Sequence, residues 1–340
     1  MMQVVQIDER ASGKISNLGL ICALLVVVLH VGIGPAWIGK ALAIKSIAVP
    51  TFFVMAGYLF AGRMDGRGWW LRQVKSRLRS LAVPYVFWNV AHWGFVAGLS
   101  VALGAAGVKY GGLELIQEMM GANWDVLGLR PLACPALGLL WFVRCLIVIT
   151  VVSPLFLVFR RKLWGVAILV GYIALAIWGE SLSGLGDNWV VAFQVRGWIS
   201  SVIFFGAGVW LRFNGGAEVR IPHWGGWSVF AIGYACLAVG GRWTVPGLPL
   251  AMAGLWYSLD GIRTWPKMLT SCSFPIYVLH AFMGVGVSAG FAALGLKGWA
   301  EGSALAWAMK WGVMAGGSIL TAMLLRRFFP RFSVMVFGGR

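Results

Sequence analysis

The sequence predicts an all-α, polytopic integral membrane bundle, and three observations carry that prediction. Of its 340 residues, 60% are hydrophobic and only 11% are charged, whereas a soluble domain needs about a quarter of its residues charged. Mean hydropathy is +0.82. Apolar runs recur along the whole chain, and about 20 such residues in a helix suffice to cross a hydrocarbon core of about 30 Å. The runs lack the period-two alternation of barrel strands, so helices are left as the way to satisfy the backbone in lipid. The same composition excludes a disordered chain and a secreted disulfide scaffold.

About ten spans emerge, near 15–34, 43–62, 82–104, 137–158, 163–179, 195–212, 224–241, 243–262, 267–294 and 303–326. The first follows a polar stretch with Arg10 and Lys14 and lacks a small-residue cleavage pattern, so it is expected to be a retained helix. The pair 224–262 is separated only by Gly240, Gly241 and Arg242. Ten spans put both termini on one side, and that side collects 19 of the 28 Lys and Arg residues. By the positive-inside rule it is the cytoplasm. Glu114, Glu118, Asp125, Glu180, Asp187 and Glu301 fall on the other side, where 105–136 is the longest external segment. No repeat or low-complexity linker divides the chain, so residues 1–340 read as one domain.

The net charge of +17 resides in short clusters between apolar runs. These are topology signals, and a membrane lipid environment rather than a nucleic acid is the expected partner. One cluster, residues 63–81, places Trp70, Val74, Leu78 and Leu81 at helical spacing with cations opposite, which predicts an amphipathic helix along the cytoplasmic membrane surface. Its cations serve either lipid headgroups or a phosphate-bearing ligand.

Ionisable side chains at membrane depth are expensive and call for a partner or a purpose. His30 ends the first apolar run, and a buried neutral imidazole can accept a proton or hydrogen-bond within the core. His280 and Tyr277 are three apart on one helix face, near Pro275, which is expected to break the ladder and free carbonyls toward a cavity. Arg144 sits near the outer edge of its span, where it either snorkels to water or meets an anionic ligand. Asn89 and His92 share a face of the third span, and such polar residues often join helices. Cys22, Cys134, Cys145, Cys236 and Cys272 have no metal-ligand spacing, so neither a metal nor a disulfide is expected. No nucleophile elbow, phosphate-binding loop, metalloprotease motif or paired carboxylate is present.

Taken as a set, these residues resemble the membrane-bound acyltransferase 3 family, bacterial O-acyltransferases of envelope glycans. The resemblance spans nearly the whole chain. It is carried by Leu29-His30, Pro50-Thr-Phe52-Phe53 continuing to Gly57-Tyr58, Arg77-Leu-Arg79 through Pro84-Tyr85 to Trp88, Leu140-Trp141-Phe142, Ser153-Pro154-Leu155, and Ile276-Tyr277 to His280. Three positions depart from it: Ser16 and Gly19 stand where the family has Asp and Arg, and Ala56 replaces a Ser.

The resemblance implies a bacterial inner-membrane enzyme with no bound cofactor, using acetyl-CoA or another acyl-CoA as co-substrate. A hydroxyl of a glycan or lipid-linked saccharide on the far side would be the acceptor. It implies His30 as general base, with Tyr277, His280 or the Trp141 indole as the donor to the developing oxyanion. Arg72, Lys75, Arg77 and Arg79 are the candidates for the donor phosphates, since guanidinium and ammonium groups bind phosphate through charge-assisted hydrogen bonds. Trp141, Arg144, Asn89, Tyr85 and Phe53 are the candidates for lining the acceptor cavity. The competing readings are a transporter or flippase, and a non-catalytic partner in envelope-polysaccharide assembly.

Overall fold

The structure, a computed structural model, describes residues 9–105, 126–129, 135–182, 189–216, 219–260 and 262–339. Among these residues it is helical, with no strand. Its principal helices are α1 (Glu9–His30), α2 (Ala36–Ala41), α3 (Ala48–Ala61), α4 (Trp69–Arg77), α5 (Val83–Ala105), α6 (Trp141–Val151), α7 (Trp164–Leu182) and α8 (Trp189–Phe213). They are followed by α9 (His223–Val239), α10 (Thr244–Ser258), α11 (Lys267–Thr270), α12 (Ser273–Ala293), α13 (Lys297–Gly302), α14 (Ala304–Phe328) and α15 (Pro330–Val336).

Helices coincide with each of the ten apolar segments, yet fewer of them meet the length and apolarity of a membrane crossing. Four described helices do so: 11–30, 43–61, 273–293 and 304–328. The bent pair 138–151 and 153–160, which turns by 75°, makes a fifth if counted as one broken span. Two of the other helices are short. At 17 and 15 residues, α9 and α10 are about 26 and 22 Å long. The bend lies at Ser153-Pro154, where proline cannot donate a backbone hydrogen bond.

Two close helix pairs organise the bundle, and both are built on small residues. A Cβ added at Gly57 of α3 would lie 2.1 Å from the Phe205 carbonyl oxygen of α8, and one at Gly208 would lie 2.0 Å from that of Val54. The pair α9 and α10 repeats the arrangement: a Cβ at Gly233 would sit 2.3 Å from the Ala251 nitrogen, and one at Gly254 would sit 2.2 Å from that of Phe230. Backbones at this distance gain dispersion contacts that bulky side chains would forbid, the usual basis of association between helices in lipid.

Pro249 lies inside α10 and leaves the carbonyl of Val245 without its helical donor. The Tyr172 hydroxyl of α7 fills the gap at 2.6 Å. Pro275 behaves otherwise than the sequence suggested. It occupies the third position of α12, within the first turn, where backbone N–H groups lack an intrahelical partner in any case. The helix therefore runs unbroken through His280.

Several connections gather at one end of the bundle. Asn17 accepts from the Trp265 N–H at 2.9 Å and donates to the Arg263 carbonyl at 3.3 Å. Arg326 at the end of α14 donates to the Ser271 hydroxyl and carbonyl at 2.8 and 2.9 Å. The Trp88 indole at the start of α5 donates to the Val336 carbonyl at 2.8 Å. Lys14 and Asp260, 7% and 8% exposed, form an ion pair here, with the Lys14 ammonium 4.7 Å from the centre of the Trp256 ring.

The basic segment 63–81 is shorter as a helix than expected. Gly66 and Gly68 take positive φ, so the helix begins at Trp69, and Leu78–Ala82 continue it as a wider π turn into α5. Trp70, Leu71 and Leu78 are exposed, as befits residues presented to lipid. Gln73 is the buried member of α4.

Candidate active site

The last residue of α1 and the second turn of α12 bring two histidines together. The rings of His30 and His280 lie 5.2 Å apart between centroids, tilted by 51°. In each, Nδ1 lies 2.8 Å from the carbonyl four residues earlier, Val26 and Ile276. A carbonyl can only accept, so Nδ1 carries the proton in both neutral rings and the lone pair is left on Nε2. His280 is fully buried, and its Nε2 has no hydrogen-bond partner among the described residues. His30 is exposed, at the point where the helix gives way to an irregular stretch. The pair is thus a buried base behind an accessible one.

An aromatic wall continues from this pair. Tyr277 lies 6.5 Å from His280, Phe142 lies 5.8 Å from Tyr277, and Phe53 lies 4.5 Å from Phe142 and 6.0 Å from Trp141. Phe52, 6.5 Å from Tyr277, closes the group. Five candidates chosen from the sequence, His30, His280, Tyr277, Phe53 and Trp141, therefore share one site. Phe52 and Phe142 belong to it as well, and their places in the Phe-Phe and Trp-Phe motifs were the signal for them.

The remaining polar candidates share a different task. The hydroxyl of Tyr85 donates to the carbonyl of Leu127, and Arg144 donates to that of Gly128. Asn89 accepts from the Leu137 N–H at 2.9 Å, while its amide donates to the Tyr85 carbonyl at 2.9 Å. The Tyr277 hydroxyl donates to Leu139. Together with the bond from Ala136 N–H to the Val126 carbonyl at 3.0 Å, these hold the described ends of the 126–140 segment inside the bundle.

Irregular backbone at membrane depth is tolerated where side chains satisfy it, and these residues do so. Hence the inner end of the segment read as external, 105–136, folds back toward the histidines, with Pro135 buried and Leu137 1% exposed. Gly128 has a φ of +56°, and a Cβ there would meet the Pro135 nitrogen at 2.7 Å. Most of that external segment, including Glu114, Glu118 and Asp125, lies outside the described residues, as do Asp187 and Cys134. Arg144 also stacks over Trp198 at 5.5 Å, so it neither snorkels nor waits for an anion alone.

The Asn89 contact has a measurable consequence. In Asn89→Leu the buried Leu137 N–H loses its acceptor, a loss of about 1–3 kcal/mol. A lower thermal midpoint together with faster proteolysis within 126–140 is expected. Unchanged values would mean that Asn89 does not hold the segment.

The basic candidates lie elsewhere. Arg72 donates to the carbonyl of Arg67 and, at 3.0 Å, to that of Asp65, closing the turn before α4. Lys75 and Arg79 are exposed, and the Arg77 guanidinium lies 5.9 Å from the Phe60 ring. Eight residues of α3, about 12 Å of helix, separate Phe53 in the aromatic wall from Ala61 at the basic end.

With this geometry in place, the comparisons decide the family. A family model described as an acyltransferase domain matches residues 16–327. The chain belongs to the acyltransferase 3 family. No curated protein and no solved structure matches it. Membership makes it a multi-pass membrane acyltransferase.

Where other members of the acyltransferase 3 family are expected to carry Asp and Arg on the first helix, Ser16 here bonds the Ser12 carbonyl at 2.9 Å. A Cβ at Gly19 would lie 3.4 Å from the Ser273 hydroxyl. The ion pair at this end of α1 is instead Lys14 with Asp260. Asp260 was not legible as its partner, because 246 residues separate the two in sequence.

Proposed function

We propose that the protein transfers an acyl group, acetyl from acetyl-CoA first among the candidates, across the bacterial inner membrane to a hydroxyl of an envelope or exported glycan. The observation that carries this reading is the pair of histidines whose Nε2 atoms are both left as bases, one accessible and one buried. The acceptor hydroxyl attacks the thioester carbonyl while His30 Nε2 takes its proton, a contribution of about 10²–10⁴ in rate for a well-placed general base. The tetrahedral intermediate collapses by breaking the carbon–sulfur bond, and the imidazolium returns the proton to the departing thiolate. The products are an ester and free CoA.

His280, whose ring lies 5.2 Å from that of His30, is the group placed to position the His30 imidazole. Tyr277 is the candidate donor to the oxyanion, at the cost of releasing Leu139. The exposed Lys75 and Arg79, with Arg72 and Arg77, face the donor phosphates from the cytoplasmic end. That orientation follows from the clustering of cations on one side, and the thioester supplies the driving force without a bound cofactor.

The test is CoA release by the protein in nanodiscs, with acetyl-CoA or succinyl-CoA, each with and without candidate glycans. Acceptor-dependent release supports the reading. No release from folded protein, together with glycan flux in sealed vesicles, would replace it with a transporter.

A further inference from the structure

A cavity of about 550 Å³ lies away from the histidines, between the first half of α1 and helices α3, α7, α8 and α10. Its walls are apolar, with Ile15, Leu18, Met55, Leu169, Phe204 and Met252 among them, and its polar lining includes Lys162, Tyr58 and Tyr257. Along α7 it runs from Gly165 to Tyr172 and along α8 from Trp210 back to Ile203, about 10 Å in each case. That depth fits within one leaflet, about 15 Å of hydrocarbon.

Leu18 precedes His30 by 12 residues of unbroken helix, about 18 Å. Neither histidine and no residue of the aromatic wall lines this space. One end of the cavity is basic: Lys162 closes the run Arg160-Arg161-Lys162, and Arg212, at the same end, donates to the Tyr58 hydroxyl at 3.0 Å and stacks over its ring. Apolar walls of leaflet depth below a cationic rim complement an anionic amphiphile.

We propose that this cavity holds a hydrocarbon chain of an anionic phospholipid of the inner leaflet, with its phosphate at the Lys162 end. The inner-leaflet assignment rests on the cytoplasmic placement of the basic end given above. Acyl transfer itself is not needed, so the test below succeeds or fails without donor or acceptor.

The experiment compares phosphatidylglycerol and phosphatidylcholine carrying a photoreactive diazirine in the acyl chain, with the protein in nanodiscs and labelled peptides mapped by mass spectrometry. The phosphatidylglycerol probe is expected to label the lining stretches of α8 and α10 saturably and several-fold more than the phosphatidylcholine probe. In Ala207→Trp, which fills the space from α8, saturable labelling should vanish. In Lys162→Glu the two probes should label equally. Labelling of the wild type that cannot be saturated, or that is equal for the two probes, would overturn the proposal without recourse to any variant.

Discussion

Replacing His30 with alanine is expected to lower acceptor-dependent CoA release by about 10²–10⁴-fold, the range for loss of a positioned general base. Acetyl-CoA affinity, measured by calorimetry, should stay within a factor of about two, since Ala61 and the basic segment beyond it lie at the other end of α3. The expected signature is a fall in kcat with little change in donor KM. His30 is exposed at the end of its helix, so its truncation opens no large core cavity and the variant should fold.

His280→Ala tests the second base. Its ring is fully buried 5.2 Å from that of His30, so in the proposed mechanism the two would act as one unit. The double variant should then be little slower than His30→Ala alone, because groups that act as a unit are not additive. Release unchanged in His30→Ala would move the base elsewhere and sink the mechanism proposed above.

The second large effect is structural. In Gly57→Leu the new side chain meets backbone atoms of Phe205, the nearest at 2.1 Å from the Cβ position. No rotamer relieves a clash with backbone, so α3 and α8 must separate. Overpacking of this kind costs about 1–3 kcal/mol and occasionally more, and the helix that moves is the one carrying Phe52 and Phe53. A lowered unfolding midpoint and lost activity are expected together, with Gly208→Leu behaving alike because its Cβ would lie 2.0 Å from the Val54 carbonyl oxygen. Gly94→Ala is the control: nothing lies within 4 Å of a Cβ there, so its midpoint should hold. Equal tolerance at positions 57 and 94 would mean that the α3–α8 contact is not what holds this region together.

The comparison explains why a glycine follows the Phe-Phe motif. Read as a string, Gly57 is one small residue among 47 glycines, and its neighbours suggest only a helix. Its requirement comes from a helix 148 residues later, whose own Gly208 must be small for the same reason.

Much of the site was legible from the linear order. An imidazole in an apolar run is costly enough in lipid to mark itself, and motif order linked His30 to the Phe-Phe, Trp-Phe and Tyr-His stretches, which do converge. The polar residues of the third and fourth apolar runs were legible as anomalies but not as to purpose. Tyr85, Asn89 and Arg144 were read as candidates for cavity lining, and in the structure they satisfy the backbone of a segment folded back into the bundle. Hydrogen bonds from side chains to carbonyls leave no trace in the identity of the accepting residue, so composition could not reveal them.

What the sequence determined by itself is the membrane, the helix and the chemistry available. Hydrophobic length and the cost of unsatisfied backbone in lipid admit one class of structure, and the scarcity of acids leaves histidine as the candidate base. What only the tertiary structure decided is proximity: which glycines face backbone, that Lys14 meets Asp260, and that two imidazoles 250 residues apart direct their protons into their own helices and keep the lone pair on Nε2. Those outcomes depend on helices meeting at particular heights and rotations, set by the sum of many close contacts rather than by any residue's own preference.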